Sequence, residues 1–280
     1  MISFDFEYAS PQSIKEASET FQQFKRENKK AIYYAGGTEF ISRARAGEIK
    51  ADAIIDLKQV KECQQIGFAN NQLVVGATRT LTDVEEGNFY PLLSDVIQHI
   101  AHRTARNKIT IGGNLMSHLA YREAALPFLL ADSTLEIATM DGNVRQVSIH
   151  DIFKQDLHLS EGEFIVQIMT DEKFLNMPHF HSKKTKQSKL NYPIVTLAAL
   201  RVDEKIRVAL SGAYPYPTRL LKLEKLMAAA SKKFDGNIER VMKKLPTSII
   251  DDMYASLEYR KFLLERSMID MFQKLERMSS

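Results

Sequence analysis

Ala35-Gly36-Gly37-Thr38-Glu39 and Thr110-Ile111-Gly112-Gly113-Asn114 are the two stretches that decide how this sequence is read. They hold the only two Gly-Gly dipeptides of the 280-residue chain. Each pair ends in a small polar residue, Thr38 in one case and Asn114 in the other. A missing Cβ lets backbone N–H groups approach an anion closely. A loop that enters a helix N-terminus adds a favourable dipole and several donors without intrahelical partners. Two such loops could hold a diphosphate between them, with Thr38, Thr110, Asn114 and Ser117 supplying neutral hydrogen bonds. No Gly-x-Gly-x-x-Gly is present, and no Lys-Ser/Thr follows a glycine in P-loop fashion, so the Rossmann and P-loop NTPase readings both fail. Taken singly, each pair reads first as a tight turn; the two together with their flanks favour the binding reading.

Outward from the first pair, the chain reads strand, helix, strand, helix, strand. Ser10-Pro11 has the form of a helix start, and Ser13 with Glu16 offers a capping box one turn later. Ile14, Ala17, Phe21 and Phe24 then recur at helical spacing. Ala31–Ala35 reads as a buried strand ending at Gly36-Gly37. A helix follows from about Glu39 to a C-cap at Gly47, and Asp52–Leu57 is the third strand. Such alternation implies parallel pairing through right-handed crossovers. After Leu57 the pattern changes. Ile66–Phe68 and Leu73–Ala77 flank Asn70-Asn71, and Leu135–Met140 and Arg145–Ile149 flank Asp141-Gly142-Asn143; both are hairpin signals. With a helix around Tyr90–Ala101 and a strand at Phe164–Met169, this middle segment predicts an antiparallel sheet with inserted helices. Ile194–Val202 and Lys205–Ser211 form a strand pair around Asp203-Glu204. From Pro217 the chain reads as helical, ending in an amphipathic helix marked by Leu257, Phe262, Leu263, Ile269, Phe272 and Leu275.

Composition narrows the function. Apolar residues make up 44% and charged residues 26%, which is enough apolar mass for a sizeable core. Lys plus Arg is 38 against 35 for Asp plus Glu, too small an excess for a dedicated nucleic-acid binder. The single cysteine, Cys63, cannot build a disulfide framework, an iron–sulfur cluster or a zinc finger, and it fits a reducing compartment. Met1–Asp5 lacks a basic and apolar leader. The apolar run Ile194–Leu200 is interrupted by Thr196 and is far short of the about 20 residues a bilayer span needs. The expectation is a soluble, cytoplasmic chain. His99 with His102, and His179 with His181, lack the further ligands a zinc site wants, so no metal is expected. The basic run Lys183–Lys189 has two readings, a solvated loop or an attractor for phosphates or an acidic partner.

The flanks of the glycine pairs carry a resemblance. Ala35-Gly36-Gly37-Thr38-Glu39 is similar to the first flavin loop of the FAD-binding subunits of molybdenum hydroxylases. Arg106-Asn107-Lys108-Ile109-Thr110-Ile111-Gly112-Gly113-Asn114 resembles the second, in which an Arg-Asn precedes Thr-Ile-Gly-Gly-Asn. Val75-Gly76-Ala77-Thr78, Gly212–Arg219 and Tyr259-Arg260-Lys261 resemble further family segments, so the likeness runs through nearly the whole chain. The implied fold class is α+β, a two-subdomain FAD-binding fold of the vanillyl-alcohol-oxidase (PCMH) type followed by a C-terminal domain of small antiparallel sheet plus helices. The corresponding boundaries are 1–175 for the FAD-binding domain, with subdomains of about 1–57 and 58–175, and 176–280 for the C-terminal domain.

The resemblance also implies a site and a role. Ala35, Gly36, Gly37, Thr38, Glu39 and Phe40 would form the first pyrophosphate loop, preceded by Tyr33 and Tyr34. Thr110, Ile111, Gly112, Gly113 and Asn114 would form the second, with Thr78 and Ser117 nearby. Glu123 falls where the family usually has Asp, and Ile165 and Tyr192 fall near positions that line the isoalloxazine ring. Ile194 replaces a Lys that some members carry. No side chain is expected to act as a general acid or base. The implied cofactor is FAD and the implied partners are a molybdopterin subunit and a two-cluster iron–sulfur subunit, with NAD as electron acceptor and xanthine dehydrogenase as the favoured assignment. Two alternatives stand beside it: a self-sufficient flavin reductase or oxidase of the same fold, and a scaffold subunit without flavin.

Overall fold

A computed structural model describes residues 2–153, 158–186, 192–229, 242–243, 245 and 248–278. In chain order its first elements are β1 (Glu7–Ala9), α1 (Ile14–Arg26), β2 (Ala31–Tyr34), α2 (Thr38–Arg45), β3 (Ala53–Asp56), β4 (Ile66–Ala69), β5 (Gln72–Gly76) and α3 (Leu81–Gly87). Then come α4 (Pro91–Ile97), α5 (Arg103–Arg106), α6 (Ile111–Leu115), α7 (Ala125–Leu130), β6 (Thr134–Ala138), β7 (Val144–Ser148), α8 (Ile149–Ile152) and β8 (Phe164–Asp171). The last are β9 (His179–Thr185), β10 (Pro193–Val202), β11 (Lys205–Ser211), β12 (Thr218–Arg219), α9 (Leu221–Ala229) and α10 (Leu257–Arg277). They divide into two compact units. The first comprises Met1–Phe89, His102–Ser117 and Ser133–Asp171, the second Tyr90–Ala101, His118–Asp132 and Glu172–Ser280.

The first unit contains two sheets. The small one is parallel, in the order β1-β3-β2. Its alternation sorts side chains to two faces. Ala9, Ala31, Tyr33, Ala53 and Ile55 pack into a core with Phe21 and Phe24 of α1. Tyr8, Tyr34, Ile54 and Asp56 take the other face, as the register Tyr8↔Ile54 and Tyr34↔Asp56 requires. Helix α1 begins at Ile14 rather than at Ser10-Pro11. Ser13 is its N-cap, with the Ser13 hydroxyl accepting from the Glu16 N–H, while the Glu16 carboxylate reaches back to the Gln12 N–H at 2.7 Å. A hydroxyl that satisfies a first-turn donor outcompetes the Pro signal upstream. The larger sheet is antiparallel throughout, in the order β4-β5-β8-β6-β7. Asn70 and Asn71 both adopt the left-handed conformation at the β4–β5 turn, which gives the type I′ hairpin that the sequence signals.

The second unit is built on one antiparallel sheet, β12-β11-β10-β9. Val195, Leu197, Ala199, Val208 and Leu210 face a core closed by Leu264, Met268, Met271 and Leu275 of α10, all four of which are fully buried. Two expectations change here. His179–Thr185 is a full strand, so Lys183 and Lys184 lie within the sheet and not in a solvated loop; Gln187, Ser188 and Lys189 of that run lie outside the described residues. The reason is a buried partner for Lys183, described below. His99 and His102, whose i, i+3 spacing predicts a shared helix, are separated: His99 follows the end of α4 and His102 is the N-cap of α5. Among the described residues no helix is long and apolar enough to cross a membrane.

Candidate functional site

The carboxyl ends of β1, β3 and β2 converge on the start of α2, the edge at which open α/β sheets offer a ligand crevice. Gly37 is the N-cap of α2, in the left-handed conformation (φ 70°), and no side chain caps this helix. A Cβ there would fall 2.1 Å from the Tyr34 hydroxyl oxygen, so both backbone and packing demand glycine. Ile41 N–H closes the first intrahelical bond to Gly37 O at 2.8 Å. Among the described residues, the backbone N–H groups of Gly36, Gly37, Thr38 and Phe40 have no protein acceptor. They point outward from the positive end of the α2 dipole.

The two glycine segments lie side by side. A Cβ on Gly36 would stand 1.9 Å from Lys108 O and 3.2 Å from Thr110 N, so the first loop is seated directly on the backbone that leads into the second. That backbone is anchored from behind. Arg106 Nε donates to Glu85 Oε2 of α3 at 2.9 Å, and the Thr82 hydroxyl of α3 donates to Asn107 Oδ1 at 2.6 Å. Leu81 N–H donates to Ile109 O at 2.8 Å, and Thr80 bridges Thr110. The Arg-Asn pair thus holds the second loop in place, a role that neither charge nor spacing in the sequence announced. Asn107→Ala is expected to lower stability by about 1 kcal/mol and to weaken retention of the FAD that the sequence resemblance implies. Thermal unfolding and flavin content of the purified variant check this; unchanged flavin content would mean that the loop keeps its place without that bond.

The second loop differs from the first in its donors. Ile111 N–H donates to Arg79 O (2.9 Å), Gly112 N–H to Ala77 O (2.8 Å), and Asn114 N–H to Thr110 O (2.8 Å). Gly113 N–H meets Thr110 Oγ1 at 3.2 Å. The expectation that both loops present open N–H groups therefore holds for one of them. Gly112 is a packing residue, since its Cβ would lie 2.7 Å from Ala77 Cβ. At Gly113 a Cβ would meet only Thr110 Oγ1, at 2.9 Å, which leaves this the open face of the turn. What the second segment can offer a ligand is this open backbone; Thr110 and Ser117 are buried, and the Thr110 hydroxyl already accepts from the Gly113 N–H.

Other expected site residues fall elsewhere. Tyr33 points into the core, stacked on Phe21 (centroids 5.3 Å apart), with its hydroxyl donating to Gly162 O; burial raises its pKa. Ile111 and Ile165 are buried, and the Thr78 hydroxyl is held by Cys63 O at 2.7 Å. Phe40 meets the Tyr34 ring edge-on, at 6.2 Å between centroids, and Glu39 lies 3.6 Å from Arg43. Two residues that sequence reasoning missed stand beside the first loop. Lys58 Nζ donates to Asp56 Oδ2 (2.6 Å) and to Ala35 O (3.3 Å), and it sits 4.8 Å from the centroid of the Tyr34 ring. Asp56 is buried and also accepts the Tyr8 hydroxyl at 2.5 Å, a bond that raises the Tyr8 pKa.

Glu123 and Tyr192 belong to the second unit. The Glu123 carboxylate accepts from Lys183 Nζ at 3.0 Å and from the Thr196 hydroxyl at 2.8 Å, with both charged side chains more than nine-tenths buried. Burial raises its pKa, against the pull of Lys183. His181 sits nearby, 5.0 Å from the His99 ring, and burial together with surrounding cations pushes it down to about 3, so it is neutral at physiological pH. Tyr192 stacks on Tyr121 at 5.2 Å between centroids. Ile194 is part of the core.

Residues 4–170 match the family model described as the FAD binding domain in molybdopterin dehydrogenase. The chain belongs to this family: it is the FAD-binding subunit type of the molybdenum hydroxylases, an oxidoreductase flavoprotein whose cofactor is FAD. It is 25% identical over 228 residues to the nicotinate dehydrogenase FAD-subunit of Eubacterium barkeri, covering 75% of this chain and 76% of that one. It is 25% identical over 266 residues to the xanthine dehydrogenase FAD-binding subunit of Escherichia coli O157:H7, covering 85% and 86%. Its fold is that of a chain of quinoline 2-oxidoreductase from Pseudomonas putida 86, with a TM-score of 0.84, 22% identity and 99% of each chain covered. The expected fold class is thereby met.

Proposed function

We propose that this chain carries electrons inside a molybdenum hydroxylase that oxidises an N-heteroaromatic substrate, with xanthine the leading candidate and NAD the final acceptor. The observation that carries the site is the uncapped start of α2. Its unaccepted N–H groups belong to a loop seated at Gly36 on the backbone that leads into the second glycine segment, and an FAD diphosphate would sit on them. Ala35–Phe40 would bind the diphosphate through backbone donors and the Thr38 hydroxyl. Gly113 would let the ligand pass close to the second turn, while Asn114 would hydrogen-bond its oxygens. Tyr34, on the ligand-side face of β2, would close the wall behind Gly37. Tyr33, Thr78, Ile111 and Ile165 would serve by packing. Within the second unit, Glu123 would brace β9 and β10 through Lys183 and Thr196.

FAD, when bound, supplies the hydride and single-electron chemistry itself. The chain's share is to hold the nucleotide, to keep water from the seated loop and to set its electrostatics. Cys63 is fully buried and is the only cysteine, so iron–sulfur clusters would come from a partner subunit and the molybdopterin from another. Nicotinate and xanthine in the names of the two relatives are both N-heteroaromatics, which supports the substrate class.

The test uses the purified full chain reconstituted with FAD, without oxygen. NADH is expected to bleach the flavin absorbance, while xanthine leaves it unchanged until molybdopterin and iron–sulfur subunits are added. Xanthine turnover by the chain alone would overturn the partner requirement. Bleaching by dithionite but not by NADH would overturn NAD as acceptor.

A further inference from the structure

The first loop has donors but no positive side chain of its own. A dinucleotide diphosphate brings two negative charges to it; Glu39 in the first turn of α2 is paired with Arg43 at 3.6 Å and does not answer them. On β3's side of the sheet Lys58 stands beside the loop. Its ammonium has three N–H donors. One goes to Asp56 Oδ2 at 2.6 Å and one to Ala35 O at 3.3 Å, the carbonyl immediately before Gly36. The Lys58 side chain is 47% exposed, whereas that of Asp56 is 2% exposed. The pair is thus an oriented dipole, with the anion buried in the sheet and the cation at the loop. Asp56 is fixed independently of Lys58 Nζ, because the Tyr8 hydroxyl donates to Oδ2 and the Lys58 backbone N–H to Oδ1 at 3.0 Å. The Tyr34 ring, 4.8 Å from Nζ, confines the ammonium further through a cation–π contact.

We propose that Lys58 is a diphosphate-binding residue, its remaining N–H directed to a phosphate oxygen lying on the N–H groups of Gly36–Thr38, with Asp56 as the residue that positions it. This rests on the reading of the first loop given above. It assigns a positive charge to a site whose recognisable motif carries none, and it extends the ligand contacts to the strand end after β3. The chemical class recognised is a nucleoside diphosphate group, whether in FAD or in free ADP.

Equilibrium dialysis of the full chain with FAD, and displacement of FAD by ADP, test the proposal. Lys58→Gln is expected to weaken both by about fivefold to tenfold, a charge-assisted hydrogen bond discounted for a half-exposed partner. The gap should narrow in 0.5 M salt, where screening acts within a few ångströms. Lys58→Arg should restore most of the affinity. Unchanged ADP displacement by Lys58→Gln, with the same salt response as the parent chain, overturns the proposal. Gly37→Ala separates the two readings. If it loses FAD while Lys58→Gln keeps it, the loop stands and the lysine assignment falls. If both variants bind FAD as the parent does, the loop reading falls too.

Discussion

Gly36→Ala is expected to yield a chain that folds but loses FAD on purification, with affinity lowered by about 100-fold. The cause is a collision between main chains. The added Cβ would lie 1.9 Å from Lys108 O and 3.0 Å from Lys108 C, and no rotamer relieves a clash with a carbonyl group. One side must retreat. The Lys108 side is pinned by Arg106–Glu85, Thr82–Asn107 and Leu81–Ile109, so the first loop moves. Overpacking of this kind costs about 1–3 kcal/mol. If the loop's displacement takes the donors of Gly36–Thr38 off the diphosphate, a loss of that size converts to as much as about 100-fold in affinity. Gly113→Ala is the matched control. Its Cβ meets only Thr110 Oγ1, at 2.9 Å, the hydroxyl that caps α6 by accepting from the Gly113 N–H, so a loss of about 1 kcal/mol of stability is expected and any loss of FAD beyond that would report on the ligand's path. Gly112→Val would be uninformative, because Ala77 blocks it at 2.7 Å with or without a ligand. Flavin-to-protein absorbance ratios and dialysis constants decide. Full retention by Gly36→Ala would show that the loops need not be seated together.

The same residues show how far the sequence could be read. The strand–helix–strand–helix–strand opening, the two hairpins and the β10–β11 pair were legible because period, turn residues and glycine punctuation agree there. The glycine pairs were legible as a site, but not as two different devices. Nothing local distinguishes Gly36 and Gly112, which permit backbones to touch, from Gly37, which permits a left-handed turn, or from Gly113, which stays open. Tyr33 and Tyr34 are neighbours of one kind in sequence and opposites in the fold, and the register of β2 on β3 decides between them. Strand β9 was hidden because its lysines read as solvated. Lys183 is buried only because Glu123, sixty residues away, is buried with it. Lys58 was overlooked for a similar reason: its meaning comes from Asp56 and Ala35, which the parallel sheet brings to it.

Arg260 illustrates the same rule with a large energetic consequence. In sequence it is the middle of Tyr259-Arg260-Lys261 near the start of α10. In the second unit it is 2% exposed and its guanidinium serves three acceptors. Nη1 donates to Ile194 O at 2.6 Å and to Gly212 O at 2.7 Å, and Nη2 donates to Asp252 Oδ1 at 2.6 Å. It thereby ties the start of β10, the end of β11 and the loop before α10 to one helix. Arg260→Met keeps the stem and strands all three acceptors. Removing one partner of a buried ion pair costs about 3–5 kcal/mol, and the partial exposure of Asp252 (31%) places the expectation near the lower end. At about 2–4 °C per kcal/mol, the melting temperature should fall by roughly 6–12 °C.

The pH dependence separates the carboxylate from the carbonyls. Burial pushes the Asp252 pKa up, but the N–H groups of Ala255 and Tyr254 and the Arg260 guanidinium outweigh it, so the net shift is downward. A carboxyl held below its unfolded value of about 3.9 contributes stability that is complete above that pH and is lost as pH falls through the folded value. The variant lacks part of that shift. Its stability deficit relative to the parent chain should therefore be largest at neutral pH and should narrow below about pH 4, as read from denaturant unfolding at both values. A deficit that stays constant across that range would assign the whole effect to Ile194 O and Gly212 O, and would make Asp252 a loop cap independent of Arg260.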